Sequence, residues 1–208
     1  QDRKYFLNDF KDALLGGELW LKNGTWVRNI VAEYIYTKYQ SGPVYHDHNQ
    51  GSPEHVSGMD EYYNHYIYPG WQHWGQVIGN PLYTSPLYNE ENEVRVKDNR
   101  FVAWHLGISG QPSKEWSYRL LGTWREGLGT YKKPFTKHKQ QVNVMAEVNY
   151  AFSSPKMNGW KLGLGIGYDK GEIVGDNFGC CFKIKKTGCF NLTKLKNPRK
   201  NLSRKKKL

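Results

Sequence analysis

From residue 116 to residue 190 the chain runs as four stretches in which every second residue is apolar, and this alternation constrains the fold more than any other feature. The clearest stretch is 141–152. Val142, Val144, Ala146, Val148, Tyr150 and Phe152 share one side; Gln141, Asn143, Met145, Glu147, Asn149 and Ala151 share the other. Successive strand side chains point to opposite faces, so this is a strand with one greasy face and one mostly wet face. Alternation of this kind also occurs in soluble sandwiches. The connections and the placement of charge separate the two readings.

Further strands follow from the same pattern at 13–21, 25–39, 101–109, 116–125, 160–168 and 178–190, which makes seven. Segments 5–10 and 93–96 are candidates for an eighth. Asn23-Gly24 marks a tight hairpin between the first two strands. The connections then alternate in length: short at 22–24, 110–115 and 153–159, longer at 40–100, 126–140 and 169–177. Outer-membrane barrels have that asymmetry, with tight periplasmic turns and longer external loops. Aromatic residues fall at strand ends (Trp116, Trp124, Tyr150, Phe152, Trp160, Tyr168), where interfacial girdles place them. Arg119, Arg125, Lys161, Lys183 and Lys185 all fall on the opposite face, which a wet lumen tolerates. The fold expected is all-β: an antiparallel transmembrane β-barrel. No apolar run is long enough for a transmembrane helix, and barrel strands require none.

An odd, open set of strands leaves unpaired edges in lipid. Residues 1–190 are therefore expected to be the C-terminal part, about 7–8 strands, of a larger barrel, with 40–100 as a long extracellular loop. Gln1-Asp2-Arg3-Lys4 begins no signal peptide. The net charge of +11 suggests nucleic acid until its placement is considered: eight positive charges and no acid lie in 191–208, leaving +3 for residues 1–190. The basic tail is expected to be a disordered extension. Cys180, Cys181 and Cys189 form no metal or redox spacing, and adjacent Cys180 and Cys181 point apart.

A loop as long as 40–100 with little regular strand pattern is usually functional or disordered, and its aromatics argue for order. Within 59–88, Tyr62, Tyr66, Tyr68, Trp71 and Trp74 supply ring faces for sugar C–H surfaces; Asn64, His65, Gln72, His73 and Gln76 supply hydrogen-bonding groups. The site expected for polysaccharide is Tyr62, Asn64, His65, Tyr66, Trp71, Gln72, His73 and Trp74. The competing expectation is that these rings plug the loop against the lumen wall. Gly70, Gly75, Gly79 and Pro81 read as turn residues. His46, Asp47 and His48, with Glu54, His55 and His65, lack an established metal spacing and read as loop residues. Asp60 and Glu61 are adjacent rather than framed as an acid/base pair, and no nucleophile motif is present, so no catalytic residue, metal or cofactor is expected.

The run YYNHYIYPGWQHWGQVIGNPLYTSP at 62–86, followed by RFVAWHLGISG at 100–110, WSYRLLGTW at 116–124 and the ending GDNFG…KTGCF, resembles the Wzi-type capsule assembly family, in its Bacteroides-like branch. The likeness spans most of residues 1–190. It implies a barrel of roughly 18 strands in the outer membrane of a Gram-negative bacterium, within the range such barrels span. It further implies a non-catalytic surface lectin for capsular or exopolysaccharide. Its other partners would be outer-membrane lipid and the barrel assembly machinery, reached through a last strand ending at Phe190; nucleic acid is not among them. Residues beyond Phe190 then read as an addition to that strand. Two other functions fit parts of the sequence: a glycan-processing outer-membrane enzyme using Asp60, Glu61 or Glu147, and a soluble basic β protein binding nucleic acid through its tail.

Overall fold

The structure, a computed structural model, describes residues 12–40, 62–64, 71–89 and 93–188. Its strands are β1 (Ala13–Trp20), β2 (Asn29–Tyr36), β3 (Gln72–His73), β4 (Gln76–Val77), β5 (Phe101–Gly110), β6 (Trp116–Gly129), β7 (Pro134–Ala151), β8 (Trp160–Gly171) and β9 (Asn177–Lys186). Single 3₁₀ turns occupy Pro86–Tyr88 and Pro155–Met157. The seven long strands form one antiparallel sheet in the order β1-β2-β5-β6-β7-β8-β9, and β3 and β4 form a separate hairpin. Each of the seven alternating segments is one strand of this sheet. The all-β, antiparallel expectation holds. The sheet is open: β1 and β9 are its two edges.

The register makes the alternation continuous across strands. Leu15 pairs with Tyr34, Tyr34 with Trp104 and Trp104 with Trp124. Farther along, Leu120 pairs with Ala146, Ala146 with Ile166 and Ile166 with Cys180. All of these lie on one face. The opposite face carries Glu33 against His105, His105 against Thr123, and Arg119 against Glu147. Cys181, opposite Gly165, lies on this polar face, so the two adjacent cysteines point apart.

Four local expectations are corrected. Asn23-Gly24 does not make a two-residue turn: the connection is 21–28, closed by Leu21 N–H to Arg28 C=O at 2.8 Å, and neither residue has positive φ. The second strand begins at Asn29 rather than at Thr25, because Thr25 and Arg28 bond to Gln111 and Ser109 from a loop. Residues 93–96 form no strand; Asn64 holds Val96 there by side-chain bonds. The loop expected at 126–140 is mostly strand. β6 runs to Gly129 and β7 starts at Pro134, with only 130–133 between them. Residues 136–140 are polar on both faces, which hides a strand from a search for alternation although its backbone still pairs. The length asymmetry of the connections is thereby reduced to the single long segment 37–100. Segment 5–10, Cys189, Phe190 and the tail lie outside the described residues.

Packing is concentrated at one end. Ile35, Phe101 and Ala103 on the polar face meet Tyr83 and Val96 from the long connection, and Tyr62, Tyr63, Val77 and Leu82 pack around them. At this upper end of the sheet the described parts of the connection, 62–64, 71–89 and 93–100, fold over the polar face. The turns 21–28, 111–115 and 152–159 lie at the lower end.

Candidate polysaccharide-binding hairpin and the polar face beneath it

The long connection is anchored by side chains that substitute for a backbone ladder. Gln40, fully buried with φ +57°, donates from Nε2 to the Thr37 and Asn99 carbonyls at 2.9 and 2.7 Å, and its Oε1 accepts from Tyr62 N–H at 2.6 Å. Asn99 Nδ2 donates to the Tyr62 carbonyl at 2.9 Å. Asn64 forms a reciprocal pair with Val96, donating to its carbonyl at 2.7 Å and accepting its N–H at 2.8 Å. Buried backbone groups outside a sheet must find such partners. The Tyr63 ring lies 4.3 Å from Tyr83, which meets Phe101 edge-on at 5.0 Å. Burial pushes the Tyr83 phenol well above its ordinary pKa.

Arg125 of β6 joins this connection to the sheet. Its guanidinium pairs with the Asp98 carboxylate, donates to the Leu82 carbonyl and lies 4.6 Å over the Phe101 ring. Asp98 Oδ1 also accepts Gly129 N–H at 2.9 Å. Burial pushes the Asp98 carboxyl up; Arg125 and the Gly129 N–H act against that shift.

On this base stands the hairpin β3-β4. Ile78 N–H bonds the Trp71 carbonyl at 2.8 Å and closes it. Trp74 (φ +51°) and Gly75 (φ +72°) occupy its two central turn positions, the pair of left-handed conformations that a type I′ turn requires. Gly75 suits that position; tryptophan there is strained, and strain of this kind collects at functional sites. The turn is held from behind by Leu87 N–H to the Gly75 carbonyl at 2.9 Å and by Val77 N–H to Ser85 Oγ at 3.0 Å. As a result Trp74 is 89% exposed and Trp71 69% exposed. The His73 ring centroid lies 6.3 Å from that of Trp74. Below them a cleft of about 970 Å³ opens between Tyr36, Tyr62, Tyr63, Trp71, Asn80 and Tyr83.

The expected site thus divides. Trp71, His73 and Trp74 come together on an exposed hairpin. Tyr62, Asn64 and Gln72 turn inward: Gln72 Nε2 reaches the Tyr63 carbonyl at 3.3 Å, while its buried Oε1 has no hydrogen-bond partner among the described residues. His65 and Tyr66 lie outside the described residues, as do Tyr68, the histidines at 46, 48 and 55, and the carboxylates Asp60 and Glu61. Gly75 and Gly79 are turn residues, both with positive φ. Sequence reasoning missed Gln40, Tyr63, Tyr83 and the Asp98–Arg125 pair. Only the density of aromatics near 83 pointed toward any of them.

Lower on the polar face, Glu147 links three strands. Its Oε2 accepts from Arg119 of β6 at 2.9 Å and from Lys183 of β9 at 3.0 Å, and its Oε1 accepts from Asn149 at 3.1 Å. Lys183 crosses β8 where Gly163 and Gly165 carry no side chain. His105 Nδ1 lies 2.7 Å from Thr123 Oγ1. Among the described residues no three His, Cys, Asp or Glu side chains gather as a metal site. No family model, no curated protein and no solved structure matches this chain.

Proposed function

We propose that this chain forms part of the wall of an outer-membrane β-barrel in a Gram-negative bacterium, and that its exposed Trp71–Trp74 hairpin holds capsular or exopolysaccharide at the cell surface without catalysis. The observation that carries the wall is the apolar face. Leu15, Trp104, Leu120, Val144, Leu164 and Phe182, on six neighbouring or near-neighbouring strands of one sheet, all stand exposed on it. Facing water, so broad a patch would drive aggregation; facing acyl chains, it is solvated.

Two aromatic rows bound this face. Tyr34, Trp104 and Trp124 form the upper row; Trp116 and Tyr150 form the lower, with ring centroids 4.8 Å apart. Trp116 and Trp124 are eight residues apart. At ~3.3 Å per residue that is about 26 Å along the strand, or about 20 Å across the membrane at a tilt of ~40°. Barrel apolar bands are of that order. Above the upper row the same face turns polar at Glu126 and Gln140, and Lys170 continues the row itself beyond Val142, where the strands would emerge from lipid. The polysaccharide part rests on the paired exposed tryptophans, the strained turn that presents Trp74, and the motif resemblance to capsule assembly proteins.

Heat-modifiable gel migration in detergent, together with quenching of Trp104, Trp116, Trp124 and Trp160 by lipid-attached quenchers, is the expected result. A monomer fully soluble without detergent would overturn the wall. Trp71→Ala combined with Trp74→Ala should abolish polysaccharide retention and leave the heat-modifiable migration unchanged; undiminished retention would overturn the hairpin assignment.

A further inference from the structure

We propose that the lower end of the polar face, at Lys161 and Lys185, binds the carboxylate groups of an acidic polysaccharide. This goes beyond the reading above, adding a second site at the end of the sheet opposite the Trp71–Trp74 hairpin, and rests on that reading for placing this face in water. The register sets Lys161 of β8 directly opposite Lys185 of β9. Directly opposed side chains have Cβ atoms about 5 Å apart, and like charges in that position repel. Both lysines are exposed, and neither has an ion-pair partner among the described residues.

The charges around them do not relieve the repulsion. On the polar face of β7, β8 and β9 the described carboxylates are Glu147 and Asp169. Glu147 already accepts from Arg119, Lys183 and Asn149. Asp169 accepts from Asn143 at 2.6 Å and stands toward the upper end, eight residues along β8 from Lys161. Across β8 from the pair is Ala151, which has no charge. In the turn at this end, Glu115 is engaged by Ser113 and Ser153 at 3.0 and 2.8 Å. Arg119, Lys161, Lys183 and Lys185 thus share Glu147 as their one ion-paired carboxylate among the described residues, the serine bonds leave the charge of Glu115 in place, and the two ammonium groups of Lys161 and Lys185 stand in solvent without an ion-pair partner, open to an anionic ligand. The apolar face is on the other side of the sheet, which takes these lysines away from lipid headgroups. A polymer bearing one carboxylate per sugar or so offers charges that two flexible lysine stems can reach together.

The test uses the full chain in detergent micelles, with oligogalacturonate as the acidic probe and a malto-oligosaccharide of equal length as the neutral one. Lys161→Gln with Lys185→Gln should weaken oligogalacturonate binding about tenfold or more, as loss of charge-assisted hydrogen bonds does, and leave the neutral sugar unaffected. The difference should vanish at ~1 M salt, where the Debye length is ~3 Å. Equal oligogalacturonate affinity in the two proteins, or equal loss for both sugars, would overturn the site. Lys161→Glu alone should raise the thermal midpoint while weakening oligogalacturonate binding, since it converts a repulsive cross-strand pair into an attractive one. An unchanged or lower midpoint would refute the repulsion on which the site depends. If heat-modifiable migration is absent in the unaltered chain while the lysine effects persist, the wall reading fails and the lysine site stands.

Discussion

Arg125 connects the long connection to the sheet through one buried charge pair, and its removal should be felt in both. Arg125→Ala leaves Asp98 buried without its counter-charge, which costs about 3–5 kcal/mol where the carboxyl is ionised. Burial raises the folded-state pKa of Asp98, so ionisation opposes folding. The variant should therefore be most stable below the ordinary aspartate value of about 3.9 and lose stability as pH rises through the higher folded value. Thermal midpoints measured across that window check this; a midpoint deficit independent of pH contradicts it. Alternation alone places Arg125 on the polar face. It says nothing of Asp98, which is distant in sequence and arrives only when the connection folds back. At the same scale, Gly163 and Gly179 on the polar face separate two roles. A Cβ at Gly163 would meet Asn149 Oδ1 at 2.5 Å, whereas one at Gly179 meets nothing within 4 Å. Gly163→Ala should cost about 0.5–1.5 kcal/mol by displacing Asn149 from Glu147. Gly179→Ala should stabilise by about 0.4–1 kcal/mol. Chemical or thermal unfolding of the two variants side by side measures both; equal effects would show that the Asn149–Glu147 contact contributes nothing.

Among the elements, the β3-β4 hairpin is the one whose shape and proposed role can be separated experimentally. Trp74 occupies a left-handed position that costs a non-glycine residue about 1–2 kcal/mol. Trp74→Gly relieves that strain and removes the ring, so the hairpin should become more stable while polysaccharide retention falls. Amide exchange across 71–78 and a retention assay read the two effects; retention that survives with a more stable hairpin would remove Trp74 from the site. The hairpin was not legible as strand, because two residues on each side are too short to alternate. β6 and β7 show the opposite failure. Their upper ends are long enough but polar on both faces, so pairing rather than burial keeps them extended. Where one face is buried or lipid-exposed, sequence periodicity reports it; where both faces are wet, the period disappears although the strand continues.

In the whole molecule, β1 and β9 run in the same direction, since seven antiparallel strands separate even from odd. An all-antiparallel barrel containing this sheet needs an odd number of further strands between them. For the chain alone in detergent, alternate amides of β1 and β9 should exchange with solvent rapidly while those of β6, β7 and β8 are protected; full protection on both edges would show that they are paired. The sequence by itself determined the seven strands and which side chains share a face, because these follow from a two-residue period, and it determined antiparallel neighbours wherever the connection is short, which leaves out the β2–β5 pairing across 37–100. Only the tertiary structure decided how those faces are used: which loop aromatics are buried against Phe101 and which stand clear, that Glu147 joins three strands, and that Lys161 and Lys185 stand opposite each other. Those facts depend on register and on the described parts of the 37–100 connection folding back over the sheet. Neither is encoded in any local period, because each is fixed by contacts between residues far apart along the chain.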